Sequence, residues 1–168
     1  FEADTGWHMP VTPHRANYTT ADKHGGLRSM RLGIEPGDPD VFSFSPAYYK
    51  ISVPANATSV TLTFWAKRLT QDTPKTAVDP TSDLYDPKEI IEGTFPWETK
   101  SQRAWYDRQE VMILQQDCFN WLATLMRELS NDGVWTQYDY DLSAFAGQDI
   151  LLYFNVINNG DGERTWMY

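Results

Sequence analysis

The sequence predicts an all-β sandwich of about eight short strands, and three observations carry that expectation. Apolar residues recur with a period of two through most of the chain, as strands with one buried face require. Two runs, Glu110 to Gln115 and Asp149 to Ile157, are apolar on both faces, which suits the middle strands of a sheet inside a sandwich. Glycine, proline or asparagine punctuates the runs, and almost no segment competes for helix. With 168 residues the chain fits one ordinary domain, so residues 1–168 are read as a single unit.

The elements follow in order. Met30, Leu32 and Ile34 alternate with Ser29, Arg31 and Gly33. Tyr49, Ile51 and Val53 alternate with Tyr48, Lys50 and Ser52, and Val60, Leu62 and Phe64 with Thr61, Thr63 and Trp65. Trp121 to Leu129 fits either a helical stripe (Leu122, Leu125, Met126, Leu129) or a strand; its neighbours favour strand. In Trp135 to Leu142, Thr136, Tyr138, Tyr140 and Leu142 share a face, and Leu142 to Gly147 reads as one helical turn closed by glycine. From Leu69 to Tyr106 the rhythm fails. Pro74, Pro80, Pro87 and Pro96 interrupt it, and aromatic residues mix with polar ones. So long a connection is typically functional or disordered, and its aromatic content favours an ordered insertion packed on the sandwich. Asp86 to Glu92 can form a helical turn within it.

Composition removes several function classes. The net charge is −9, with 14 Lys+Arg against 23 Asp+Glu and no Lys/Arg run longer than two, which argues against nucleic acid. No apolar stretch is long enough to insert in a membrane. Cys118 is the only cysteine, so an internal disulfide or a cysteine-based zinc cluster is excluded. The chain opens at Phe1-Glu2-Ala3-Asp4 without a signal-type segment and stops at Trp166-Met167-Tyr168 inside a strand-like run; we expect a domain cut from a longer polypeptide.

The text from Trp135 to Gly160, then Thr165 to Tyr168, carries a family resemblance. With Phe1-Glu2, Trp7, Gly26 to Gly33, Val53-Pro54-Ala55 and Ser59 to Trp65, it resembles the jelly-roll accessory domains of secreted bacterial proteins. These are similar to carbohydrate-binding modules and to the domains that trail extracellular peptidases. The resemblance covers nearly the whole chain outside Leu69 to Tyr106. It implies a jelly-roll sandwich, a secreted or cell-surface setting and a structural calcium. In that pattern Glu2 gives a carboxylate, and backbone carbonyls around His24 and Gly25 give more. The acidic residue that usually follows the last strand is not in this sequence.

Other constellations read as structure. Asn158-Asn-Gly-Asp-Gly-Glu163 is a turn rather than a metal loop, because it lacks EF-hand spacing. Asp38/Asp40 and Asp139/Asp141 lie two residues apart. As strand neighbours they share a face, whereas glycoside hydrolysis needs carboxylates on opposite sides of a bond. Nothing in the spacing of His8, His14 and His24 forces a zinc site. With no serine elbow or phosphate loop, the chain reads as non-catalytic. Seven tryptophans remain. Trp7, Trp135 and Trp166 are explained by core or rim packing. Trp65, Trp97, Trp105 and Tyr106 form the candidate binding platform, because flat rings stack on sugar C–H faces while nearby polar groups bond hydroxyls. The other reading puts these rings in a small core of the insertion. The expected partner is a carbohydrate. A second reading is a protein-interaction or assembly module, with another protein as the partner.

Overall fold

A computed structural model describes residues 1–3, 6–73, 85–97, 106–117 and 119–168. Among them are twelve strands, one short helix and a 3-10 turn. In chain order they are β1 (Trp7–His8), β2 (Asn17–Thr19), β3 (Ser29–Gly33), β4 (Ser43–Phe44), β5 (Ala47–Ser52), β6 (Thr61–Ala66) and β7 (Arg68–Thr70). Then come α1 (Pro87–Ile91), β8 (Arg108–Gln115), β9 (Trp121–Glu128), β10 (Thr136–Asp141), the 3-10 turn (Ser143–Phe145), β11 (Asp149–Asn158) and β12 (Thr165–Met167). No helix among the described residues is long and apolar enough to cross a membrane.

One sheet runs β1-β5-β11-β8-β9, with β4 extending β5 along β11. β8 and β11 lie inside it, and their residues are buried on both faces as their two-sided apolar pattern predicts. Val111 and Val156 point into the sandwich against Met30, Leu32 and Met167, and Ile113, Ile150 and Leu152 against Leu62, Tyr140 and Leu142. The opposite face, with Met112, Leu114, Leu151 and Tyr153, is covered by Tyr85, Ile91 and Phe119. α1 begins at Asp86, whose carboxylate accepts the Lys88 N–H at 2.9 Å, with proline in the first turn.

The second layer contains two ladders, β2-β3-β12-β7 and β6-β10. β6 and β7 are nearly one strand, interrupted at Lys67, and the strand changes partner along its length. β7 pairs with β12, while β6 pairs with β10. The turn at 158–163 joins β11 to β12 and so carries the chain between the two layers, where a hairpin would have kept it in one sheet. Gly33 marks where the layers close up: its φ is +84°, and any side chain there would meet the Thr165 carbonyl.

Candidate functional site

Alternation along β6 turns Leu62, Phe64 and Ala66 inward and leaves Thr61, Thr63 and Trp65 outward. β10 aligns with it in antiparallel register, placing Gln137 opposite Trp65 and Asp139 opposite Thr63. Tyr138 and Tyr140 point inward beneath them, and both stack on Phe64. The result is an exposed two-stranded face with one indole and a polar row. Thr63 Oγ1 donates to Asp139 Oδ1 at 2.6 Å, and Gln137 Nε2 donates to Asp139 Oδ2 at 2.9 Å. Asp139 therefore holds the hydroxyl and the amide in fixed positions beside Trp65.

Trp65 is 40% exposed. The His24 imidazole lies flat on it, with centroids 3.8 Å apart and planes 11° from parallel. Trp135 stands near His24 at 5.9 Å and donates its indole N–H to Asp22 Oδ1 at 3.1 Å. Lys67 pairs with the other Asp22 oxygen at 2.6 Å. Burial alone would raise the Asp22 carboxyl. The Lys67 and Trp135 bonds outweigh it and hold the group below its usual range. Tyr168 donates its hydroxyl to Glu35, and burial together with that bond pushes its phenol well up.

Beside this face lies a groove of about 490 Å³. Phe1, Glu2, His24, Arg28, Trp65, Trp135 and Tyr168 border it, and its depth is apolar, lined by Met30, Leu32, Phe64, Leu152, Phe154 and Met167.

The structure brings together only part of the expected platform. Trp65 is on the exposed face. Trp97 sits with Phe42, Phe44, Phe95 and Ile90 in an aromatic cluster over the first sheet, as the small-core reading had it. Tyr106 is 44% exposed just before β8 and does not line the groove. Trp105 and Cys118 lie outside the described residues. The three histidines stay apart: His8 stacks on Tyr48, His14 faces Asp38 at 3.2 Å, and His24 covers Trp65.

Both oxygens of Glu2 accept the Leu27 N–H at 3.0 Å, and the carboxylate lies against Gly26, whose φ of +69° suits glycine. Gly25 and His24 border the groove next to it. Calcium takes six to eight oxygens. Among the described residues no group of three or more His, Cys, Asp or Glu could hold a metal ion.

Sequence reasoning missed His24 as an aromatic partner, Gln137 and Asp139 as a fixed polar row, and Tyr168 as a groove residue. The alternation of β10 was the available signal for Gln137 and Asp139, since it exposes both. Nothing local pointed to His24, which is far from Trp65 in sequence.

No family model matches the chain, and no curated protein matches it. Solved structures do. The CBM22-1 xylan-binding domain of Paenibacillus barcinonensis Xyn10C aligns over 99% of this chain and 83% of its own, with 12% identity and a TM-score of 0.49. The enzymatically active domain of tailspike protein 4 of bacteriophage CBA120 aligns over 98% of this chain and 19% of its own, with 13% identity and a TM-score of 0.51. The tailspike likeness speaks for the fold alone: the chain is a jelly-roll β-sandwich, as its sequence predicts.

Proposed function

We propose that this chain is a carbohydrate-binding module that works in an extracellular setting, with its contact surface on the outward face of β6 and β10. The observation that carries the reading is the exposed Trp65 beside the fixed row of Gln137, Thr63 and Asp139. A pyranose offers one apolar C–H face and a rim of hydroxyls. An indole with an amide, a hydroxyl and a carboxylate at its edge matches both. The His24 imidazole, stacked at 3.8 Å, lies on the ring much as a sugar would, and it gives up that place on binding. The apolar groove is the poorer site for a sugar, because hydroxyls taken into it would lose water without gaining partners.

Retention of the domain on a panel of soluble and insoluble polysaccharides tests this. Trp65→Ala is expected to abolish retention, Asp139→Ala to weaken it at least tenfold, and His24→Ala to preserve or strengthen it. Stacking of this kind contributes about 1 kcal/mol or more beyond area burial. Binding that survives Trp65→Ala with normal melting would refute the location. Silence across the whole panel would refute the function.

A further inference from the structure

The outward row of β6 and β10 has negative charge and no positive charge. Register gives it three rungs: Trp65 opposite Gln137, Thr63 opposite Asp139 and Thr61 opposite Asp141. All six residues are exposed, and neither strand puts a lysine or arginine among them. Alternate residues on one face of a strand lie about 7 Å apart, so the indole and the two carboxylates form a strip about 14 Å long.

Neither carboxylate has a counter-ion among the described residues. Asp139 accepts from neutral donors, the Thr63 hydroxyl and the Gln137 amide. Asp141 accepts the Ser143 N–H at 2.8 Å, and bonds from the Ser143 hydroxyl and backbone hold its carboxyl below the usual range. A carboxylate oxygen that accepts one bond keeps room for another donor. Acids beside the neighbouring β7 are treated differently: Lys67 pairs with Asp22, and Arg68 pairs with Glu128 and Asp132. The cations closest in sequence to the strip are therefore already engaged. The chain carries −9 overall, so its field attracts a polycation and repels a polyanion. The indole adds to this, because its face attracts an ammonium group as well as an apolar C–H face. His24 already lays a nitrogen-bearing ring on it.

We infer that the strip selects a glycan bearing free amino groups, of the polyglucosamine kind, with one ring on Trp65 and ammonium groups against Asp139 and Asp141. This rests on the carbohydrate-binding reading and narrows its ligand to one class. A sugar hydroxyl offers these carboxylates an ordinary hydrogen bond, whereas an ammonium offers a charge-assisted one, about twice as strong. Acetylation of the amine removes that charge, and a carboxylated sugar reverses it.

Titration calorimetry of the whole domain tests this with β-linked oligomers of glucosamine, N-acetylglucosamine, glucose and glucuronate, all of one length. At about pH 5.5 free amines are protonated and ordinary carboxylates ionised. The glucosamine oligomer is expected to bind about tenfold tighter than the glucose and acetylated ones, and the glucuronate oligomer to bind weakest. Salt at about 0.5 M should narrow the gap. Asp141→Asn keeps an acceptor for Ser143 and is expected to lower the glucosamine-to-glucose affinity ratio about threefold. Equal affinity for those two oligomers, or a ratio unmoved by Asp141→Asn, would overturn the inference. A preference that survives Trp65→Ala would come from the overall charge and would overturn it too. Silence toward glucosamine with retention on another polysaccharide sinks this inference alone, whereas silence toward every polysaccharide sinks the binding function with it.

Discussion

Asp107 has no solvent exposure, and its Oδ1 accepts the Asn159 N–H at 2.7 Å. Burial pushes its carboxyl up to about 7, with repulsion from Asp161 and Asp40 adding to the shift against hydrogen bonds from Thr165 and Asn159. Between about pH 4 and 7 the folded chain keeps a proton that the unfolded chain has released. Stability from this group is therefore complete in acid and falls as pH rises through that window. Asp107→Asn retains the acceptor for Asn159 and removes the titration. The variant is expected to be more stable than the parent at pH 8, by up to about 4 kcal/mol, with the gain absent at pH 4. Urea unfolding at the two pH values measures it, and a difference independent of pH would refute it. No sequence pattern marks this residue. Asp107 is one acid among many until β11, β12 and the loop at 158–163 close around it.

At the scale of elements, the stretch around Tyr85, between β7 and β8, is fastened to the first sheet by a buried charge network. Glu110 on β8 is held by Arg108 at 2.5 Å and by Arg127 of β9 at 3.2 Å, with side chains almost wholly buried. Tyr85 donates its hydroxyl to the other Glu110 oxygen at 3.0 Å and accepts from Asn155 of β11. Burial, with the Glu110 charge, raises the Tyr85 phenol well above its ordinary value, so it stays a donor. Glu110→Ala leaves two guanidinium groups without their carboxylate and is expected to cost about 3–5 kcal/mol. Tyr85→Phe loses only the hydroxyl's bonds, about 1–3 kcal/mol. Urea denaturation of both variants checks the order, and equal losses would contradict it. The ambiguity of Trp121 to Leu129 also resolves here. Register shifts between Val111 and Met112, and between Ile113 and Leu114, let adjacent Leu125 and Met126 both pack toward the core. Bulges break strict alternation, which is why the strand resembled a helical stripe in sequence.

For the whole molecule, the first residues are tied to the turn before β3 through Glu2 and Leu27, and Arg28 donates to the Phe1 carbonyl. Glu2→Ala is expected to lower the melting temperature slightly, and by the same amount with and without a calcium chelator. A chelator-induced drop in the parent that vanishes in Glu2→Ala would instead make calcium the fastener. Much of this architecture was legible in sequence. Strands β3, β5, β6 and β10, the two-sided burial of β8 and β11, the turn at Ser143–Phe145 and the helix after Asp86 all appear where expected, but burial alternates only along β6 and β10: β3 is buried on both faces, and Tyr49 of β5 is exposed. They were legible because periodicity, caps and turn residues act over a few positions, and the hydrophobic effect imposes them wherever a strand has one wet face. The shortest strands, β1, β4 and β7, carry too few residues for a period to show. The site divides along the same line. That Trp65 faces outward follows from Phe64 facing in. That His24 covers it, that Asp139 fixes Gln137 and Thr63, and that Trp97 is packed among phenylalanines are set by contacts between distant segments. Sequence by itself determined which residues avoid water along each strand. Only the tertiary structure decided which strands became neighbours, because pairing between remote strands is chosen by the packing of both layers at once.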